Sequence, residues 1–227
     1  MCYRYAFTYN KQKLKEVFPN LVFKADIKHD YNVAPTDQAA VIYSNEAPNM
    51  ENMIWGLIPY WKKYGENKGI LFNARSENIS SSISFRLPLR SKRCVIPAQS
   101  LYYWTFKEKK RIPFRVGQNN LEDLLIAGVY DIWKSKDDIK TSFSMITSSV
   151  LKAEEFYSYR IPLYLSPQEA REWKADIDLN TILKILKKPL AYDFIYHQLS
   201  DLINDKSNKK SYPNKINKEN LLFYLLF

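Results

Sequence analysis

The sequence predicts an α+β fold: a mainly antiparallel, strongly curved β-sheet or barrel with flanking helices. Two observations carry the prediction. Runs rich in β-branched and aromatic residues fill positions 39–147, and the turn-forming clusters NEAPN, KEKKR, GQNN and KSKDD punctuate them. Capped segments with helical apolar spacing come chiefly after residue 165. No internal repeat, Gly/Ser linker or composition break divides the chain, so a single domain over residues 1–227 is expected.

The elements follow in order. Residues 10–18, NKQKLKEVF, place Leu14, Val17 and Phe18 at helical spacing behind Asn10, a capping residue type. AAVIYS (39–44), NMIWGLI (52–58), RCVIPA (93–98), SLYYWTF (100–106), IPFRV (112–116), LLIAGVYDIW (124–133) and SFSMIT (142–147) read as strands. SPQEAREWK (166–174) carries Ser166 as N-cap, Pro167 at the first helical position and Glu169 three residues after the cap. That is a full capping-box signature. LNTILKILKK (179–188) sets Leu179, Ile182, Leu183 and Leu186 on one face and stops before Pro189. The segment from Lys206 to Lys218 carries five lysines among Ser, Asn and Pro. It reads either as a solvated loop or as a phosphate-contacting arm. The terminal LLFYLLF is expected to bury against the core or a neighbour.

Composition narrows the function. Apolar residues make up 46% of the 227, enough for a buried core. Lys+Arg outnumber Asp+Glu by 34 to 24, and a net charge of +10 favours anionic partners, nucleic acid first. Gly56, Gly65, Gly69, Gly117 and Gly128 match neither the dinucleotide-binding nor the P-loop spacing. His29, His197, Cys2 and Cys94 are the whole supply of soft ligands, so no metal or other cofactor is expected. Two distant cysteines indicate no disulfide framework and a reducing, cytoplasmic compartment. The first ten residues lack the apolar core of a signal peptide, and the longest apolar run, seven residues, is far short of the ~20 that span a bilayer.

Cys2 stands out for its position. By itself it reads as a small buried hydrophobe near a chain end. If Met1 is removed, it becomes a 1,2-aminothiol. Its amine (pKa near ~8) and thiol (near ~8.5) can condense with an aldehyde through an imine to a five-membered thiazolidine. Cys94, in the apolar strand RCVIPA, reads as core.

An ordered set of short motifs follows Cys2-Tyr3-Arg4-Tyr5: NVAPTD (Asn32 to Asp37), WGLIPYW (Trp55 to Trp61), NARSE (Asn73 to Glu77), RCVIPAQSLYYW (Arg93 to Trp104), AGVYDIW (Ala127 to Trp133), FSMITSS (Phe143 to Ser149) and YRIPLYLSPQEAREW (Tyr159 to Trp173). The set resembles the SOS response-associated peptidase (SRAP) family, the abasic-site processing proteins, over roughly residues 1–205. The resemblance implies binding of single-stranded DNA at abasic sites in the DNA-damage response, with nucleoid association when bound. It also implies capture of the abasic aldehyde by Cys2 as a covalent thiazolidine, and an SRAP-type hydrolase or protease class.

The family's active-site Asn maps to Asn73, whose carboxamide would orient the Cys2 amine and the sugar. Its DNA-contacting arginines map to Arg4, Arg75 and Arg160, each alternatively a surface ion pair. Trp55 and Trp61 would offer rings for base stacking, with core packing as the alternative. Two departures stand out. The family's acid/base Glu position is Tyr103, and its His position is Ser158. Glu77 and His197 are the candidates to substitute for them. Glu77 also reads as pairing with Arg75 or capping a turn, and His197 reads better as structural. The opposing expectation is a degenerate relative that binds single-stranded DNA without crosslinking it.

Overall fold

The computed structural model describes residues 4–24, 26–44, 47–63, 70–118, 123–149, 160–188 and 194–209. Cys2, Ser158 and the LLFYLLF tail lie outside them.

The chain runs β1 (Arg4–Phe7), α1 (Lys11–Val17), β2 (Val22–Phe23), β3 (Asp30–Val33), β4 (Gln38–Tyr43), β5 (Asn49–Trp55), β6 (Asn73–Arg75) and α2 (Arg86–Ser91). Four long strands follow: β7 (Arg93–Ala98), β8 (Ser100–Lys107), β9 (Lys110–Gln118) and β10 (Leu124–Lys134). Then come β11 (Ile139–Ser149), β12 (Arg160–Pro162), β13 (Tyr164–Leu165), α3 (Pro167–Lys174), α4 (Leu179–Lys187) and β14 (Phe194–Gln198). A 3-10 turn at Asp201–Asn204 comes last.

The strands form two sheets. One is five-stranded, in the order β14-β9-β8-β1-β3, and its pairs are all antiparallel. The other is nine-stranded, with the path β12-β11-β10-β7-β4-β5-β2 and with β6 and β13 attached. An added parallel pairing of β5 with β11, Ile54 opposite Ser142 and Trp55 opposite Phe143, closes the ring β5-β4-β7-β10-β11. The predicted curved sheet is therefore a closed barrel with a second sheet packed on it. The closure hides hydrogen-bonding edges that an open sheet would expose.

Local chemistry sets the elements. Asn10 caps α1, accepting from the Gln12 and Lys13 amides, while Leu14 and Phe18 go into the core. The capping box of α3 is complete: Ser166 Oγ accepts from the Glu169 amide, and Glu169 Oε2 accepts from the Ser166 amide. In α4 the buried stripe is Ile182, Ile185 and Leu186, with Leu179 and Leu183 only half-buried. The expected face is thus turned slightly in a helix that packs on α3. The expected strand 52–58 runs instead from Asn49 to Trp55. Gly56 ends it at φ +138°, where a Cβ would sit 2.3 Å from Ile70 Cγ2. Only glycine tolerates both conditions.

A single apolar cluster joins the two sheets. Tyr5 and Phe7 of β1, Leu101 and Tyr103 of β8, and Trp55, Val95 and Phe143 of the barrel all belong to it. A smaller cluster of Ala6, Tyr102, Leu199 and Ile203 seats the segment after β14 on the five-stranded sheet. No helix among the described residues is long and apolar enough to cross a membrane.

Candidate functional site

β6 is three residues long and lies parallel to β11, with Asn73 opposite Met145, Ala74 opposite Ile146 and Arg75 opposite Thr147. Its ends are pinned. The Met145 amide donates to the Phe72 carbonyl at 3.0 Å, and the Ser76 amide donates to the Thr147 carbonyl at 2.9 Å. The pinning turns Ala74 into the core, leaves Asn73 half-buried and exposes Arg75. Arg75 makes no hydrogen bond or ion pair to another described side chain.

Arg160 approaches β11 from its other edge, where β12 pairs Arg160 with Ser149. Its guanidinium donates to Thr147 Oγ1 at 3.1 Å, to the Thr147 carbonyl at 2.6 Å and to Glu77 Oε2 at 2.7 Å. Arg75 and Arg160 therefore converge on Thr147 from two neighbouring strands. Glu77 pairs with Arg160 and not with Arg75, which corrects one expected reading of the N-A-R-x-E motif. Burial pushes the Glu77 carboxyl up, but hydrogen bonds from Arg160, its own amide and the Ser149 amide outweigh this and hold it at about 2. So acidic a group is a poor general base near neutral pH.

Trp55 takes the core-packing alternative, with no exposed surface. Its ring meets Tyr5 edge-on at 5.1 Å and stacks on Phe143 at 6.5 Å, and its indole N–H donates to the Phe72 carbonyl at 2.9 Å. It thus ties the neighbour of Arg4 to the neighbour of Asn73. Trp61 is 46% exposed beside Tyr60, which is 52% exposed. Tyr60 went unmarked in the sequence, although its place in WGLIPYW offered the signal.

Arg4 is buried on β1. It donates to Asn32 Oδ1 at 3.1 Å, to the Asn204 carbonyl at 3.2 Å and to the Ile203 carbonyl. Burial, then the nearby Arg111, lowers its pKa, and Asp37 and Asp205 oppose the shift. Asn32, at the head of NVAPTD, joins the same clamp through the Asp205 carbonyl at 2.8 Å. Lys209 closes it, reaching Asp30 at 2.8 Å and Asp37 at 2.7 Å.

Tyr103 is 5% exposed in the main core, opposite Phe114 on β9. His197 sits on β14, opposite Arg115, at the far end of the five-stranded sheet from β3. Cys94 is a fully buried free cysteine, and burial pushes its thiol far up. Among the described residues no three His, Cys, Asp or Glu side chains gather as a metal site.

The motifs that resembled a family are thus physically joined: NVAPTD to β1, WGLIPYW to N-A-R, and N-A-R to the arginine of YRIP. The family model described as SOS response associated peptidase (SRAP) matches residues 1–206. The chain belongs to the SRAP family.

Among similar SRAP relatives is the Bacillus subtilis abasic site processing protein YoqW. It is 32% identical over 183 residues, covering 78% of this chain and 82% of YoqW. The abasic site processing protein YoaM of the same organism is 30% identical over 197 residues, covering 83% and 85%. A solved protein from Bacteroides thetaiotaomicron superposes with a TM-score of 0.79 at 22% identity, covering 90% of this chain and 95% of that one. The last likeness shows a shared fold.

Proposed function

We propose that this SRAP protein binds single-stranded DNA at abasic sites and captures the ring-opened sugar covalently through Cys2 once Met1 is removed. The observation that carries the reading is the convergence of Asn73, Arg75 and Arg160 around β11, in a chain whose relatives are named abasic site processing proteins. Phosphates suit the forked guanidinium donors of Arg75 and Arg160. Cys2 lies two residues before Arg4, a spacer that spans at most about 7 Å. β1 in turn is tied through Tyr5 and Trp55 to the residue preceding Asn73.

In this reading the Cys2 amine attacks the aldehyde carbon and forms a carbinolamine, which loses water to an imine. The thiolate then adds to the imine carbon, and the nitrogen takes up the thiol proton. One water leaves in total. Asn73 orients the amine and the sugar, and Arg75, Arg160 and Trp61 hold the strand.

A second reading, binding without covalent capture, is favoured by one observation. The family's acid/base position holds Tyr103, packed in the core at 5% exposure. Intact mass spectrometry with an oligonucleotide carrying one abasic site separates the two. Capture gives the sum of protein and oligonucleotide less one water, lost in Cys2→Ala and kept in Cys94→Ala. Binding without that adduct, in protein shown to lack Met1, leaves the second reading.

A further inference from the structure

The segment that carries Tyr60 and Trp61 leaves β5 at Gly56 and forms no helix or strand through Lys63, apart from a bridge between Leu57 and Leu71. Side chains hold its backbone instead. Asp131 on β10 and Ser142 on β11 stand directly opposite each other, and both are fully buried. The Ile58 amide donates to Ser142 Oγ at 2.8 Å, and the Tyr60 amide donates to Asp131 Oδ2 at 2.9 Å. Two residues further along β10, Trp133 Nε1 donates to the Lys62 carbonyl at 2.7 Å. Every second residue from Ile58 to Lys62 is thus pinned by a side chain of β10 or β11.

The central pin is a carboxylate with 1% of its side chain exposed, and such a group needs donors on both oxygens. Asp131 has them. Oδ2 takes the Tyr60 amide, and Oδ1 takes the Ile132 amide at 2.9 Å and the Lys92 ammonium at 2.5 Å. Lys92 also supplies the countercharge. Leu57 and Pro59 turn inward from the pinned backbone and are buried, whereas Tyr60 and Trp61 are 52% and 46% exposed.

Two adjacent rings on a fixed backbone suit unpaired bases. Every base has a face to stack, and a platform ordered beforehand spares the entropy of ordering it on binding. The platform also continues into the site already described. The Leu57 amide donates to the Leu71 carbonyl at 3.1 Å, two residues before Asn73.

We infer that Tyr60 is a second base-stacking residue beside Trp61, and that Asp131 and Ser142 are the positioning residues that hold both rings for single-stranded DNA. The inference rests on the single-stranded DNA reading above and gives that site a footprint of two neighbouring bases on the loop.

The test measures the affinity of the full-length protein for a fluorescein-labelled, undamaged oligothymidine by anisotropy across salt concentrations. Tyr60→Ala should weaken binding about fivefold, the worth of one weakly stacked base, and Tyr60→Phe should bind as wild type. Asp131→Ala and Ser142→Ala should each weaken it about threefold with an unchanged salt slope, because neither removes a phosphate contact. In a Tyr60→Ala/Trp61→Ala background the same two substitutions should cost nothing further, since no ring is left to position. A merely structural loss would persist there. Ser142→Ala removes one acceptor and no charge, so it keeps the test decisive if Asp131→Ala melts below the assay temperature.

Three results overturn the inference while Trp61→Ala still weakens binding and so upholds the DNA reading. They are Tyr60→Ala binding as tightly as wild type, Tyr60→Phe binding as weakly as Tyr60→Ala, and losses in Asp131→Ala or Ser142→Ala that survive without the rings. A wild-type protein that binds no single strand overturns both.

Discussion

Glu77 Oε2 lies 2.7 Å from an Arg160 Nη, and this contact links the segment after the N-A-R strand to β12 on the opposite edge of β11. The pair fixes the arginine and also competes for it. A DNA phosphate that takes Arg160 must share it with a carboxylate already in place.

The first prediction is a pH dependence. Glu77 is held near 2, below its unfolded value of about 4.5. A depressed carboxylate stabilises the fold above the unfolded pKa, and that contribution fades as pH falls from 4.5 through 2. Because the Glu77 side chain is 46% exposed, the effect is at most about 1 kcal/mol. Glu77→Gln should lower the melting temperature by roughly 2–4 °C at pH 7. The gap should close near pH 2. A gap that persists there would assign the loss to packing instead.

Binding of single-stranded DNA gives the second. Arg75→Ala should weaken binding and reduce the slope of log affinity against log salt by about one. Trp61→Ala should cost about 1–3 kcal/mol with little change of slope, since stacking carries no counterions. Glu77→Gln should tighten binding by releasing Arg160. Fluorescence anisotropy across salt concentrations measures all three. Equal slopes for Arg75→Ala and wild type would remove Arg75 from the interface.

The third concerns the lost acid/base position. Restoring the family's carboxylate as Tyr103→Glu places it in the main apolar cluster at a position that is 5% exposed. Burying a carboxyl at such a position should cost about 1–3 kcal/mol. The expected outcome is a lower melting temperature, with the loss smaller at pH 4 than at pH 8 because the neutral acid buries more cheaply. Thermal melts at the two pH values decide it. A variant as stable as wild type at pH 8 would show a partner for the carboxylate at that site.

Trp55 provides the fourth. Trp55→Phe removes the N–H that holds the Phe72 carbonyl and shortens the ring that meets Tyr5. A loss of about 1–3 kcal/mol is expected from the lost hydrogen bond and the void, with the Phe72 carbonyl keeping the Met145 amide as its donor. If Trp55 also positions Asn73, crosslinking should slow while DNA affinity stays close to wild type. A fall in affinity without a change in rate would assign Trp55 to the interface.

Much of the barrel was legible because its strands are long and rich in β-branched residues. Even the helices announced themselves through Asn10 and Ser166. β6 was not legible as a strand: Asn73, Ala74 and Arg75 carry no β pattern, and only pairing with β11 makes them extended. α2 was missed for a related reason. RLPLRS has Pro88 inside it and no side-chain cap. In the candidate site, the arginines were found by motif, but their partners were not. Glu77 reaches Arg160 across 83 positions and Asn204 reaches Arg4 across 200, distances at which local spacing is silent. The two tryptophans of WGLIPYW look alike in sequence, yet Gly56 turns the chain between them, so one is buried and the other faces solvent.

The clamp on Arg4 also orders events in time. β1 leaves the ribosome well before the carbonyls of Ile203 and Asn204 that hold its guanidinium, which lie 199 and 200 residues further along the chain. At about 5–20 residues per second, the intervening chain takes roughly 10–40 s to make. Throughout that interval Arg4 has no carbonyl clamp. Emergence of β1 and closure of the fold around it are thus separated by the length of the chain between them.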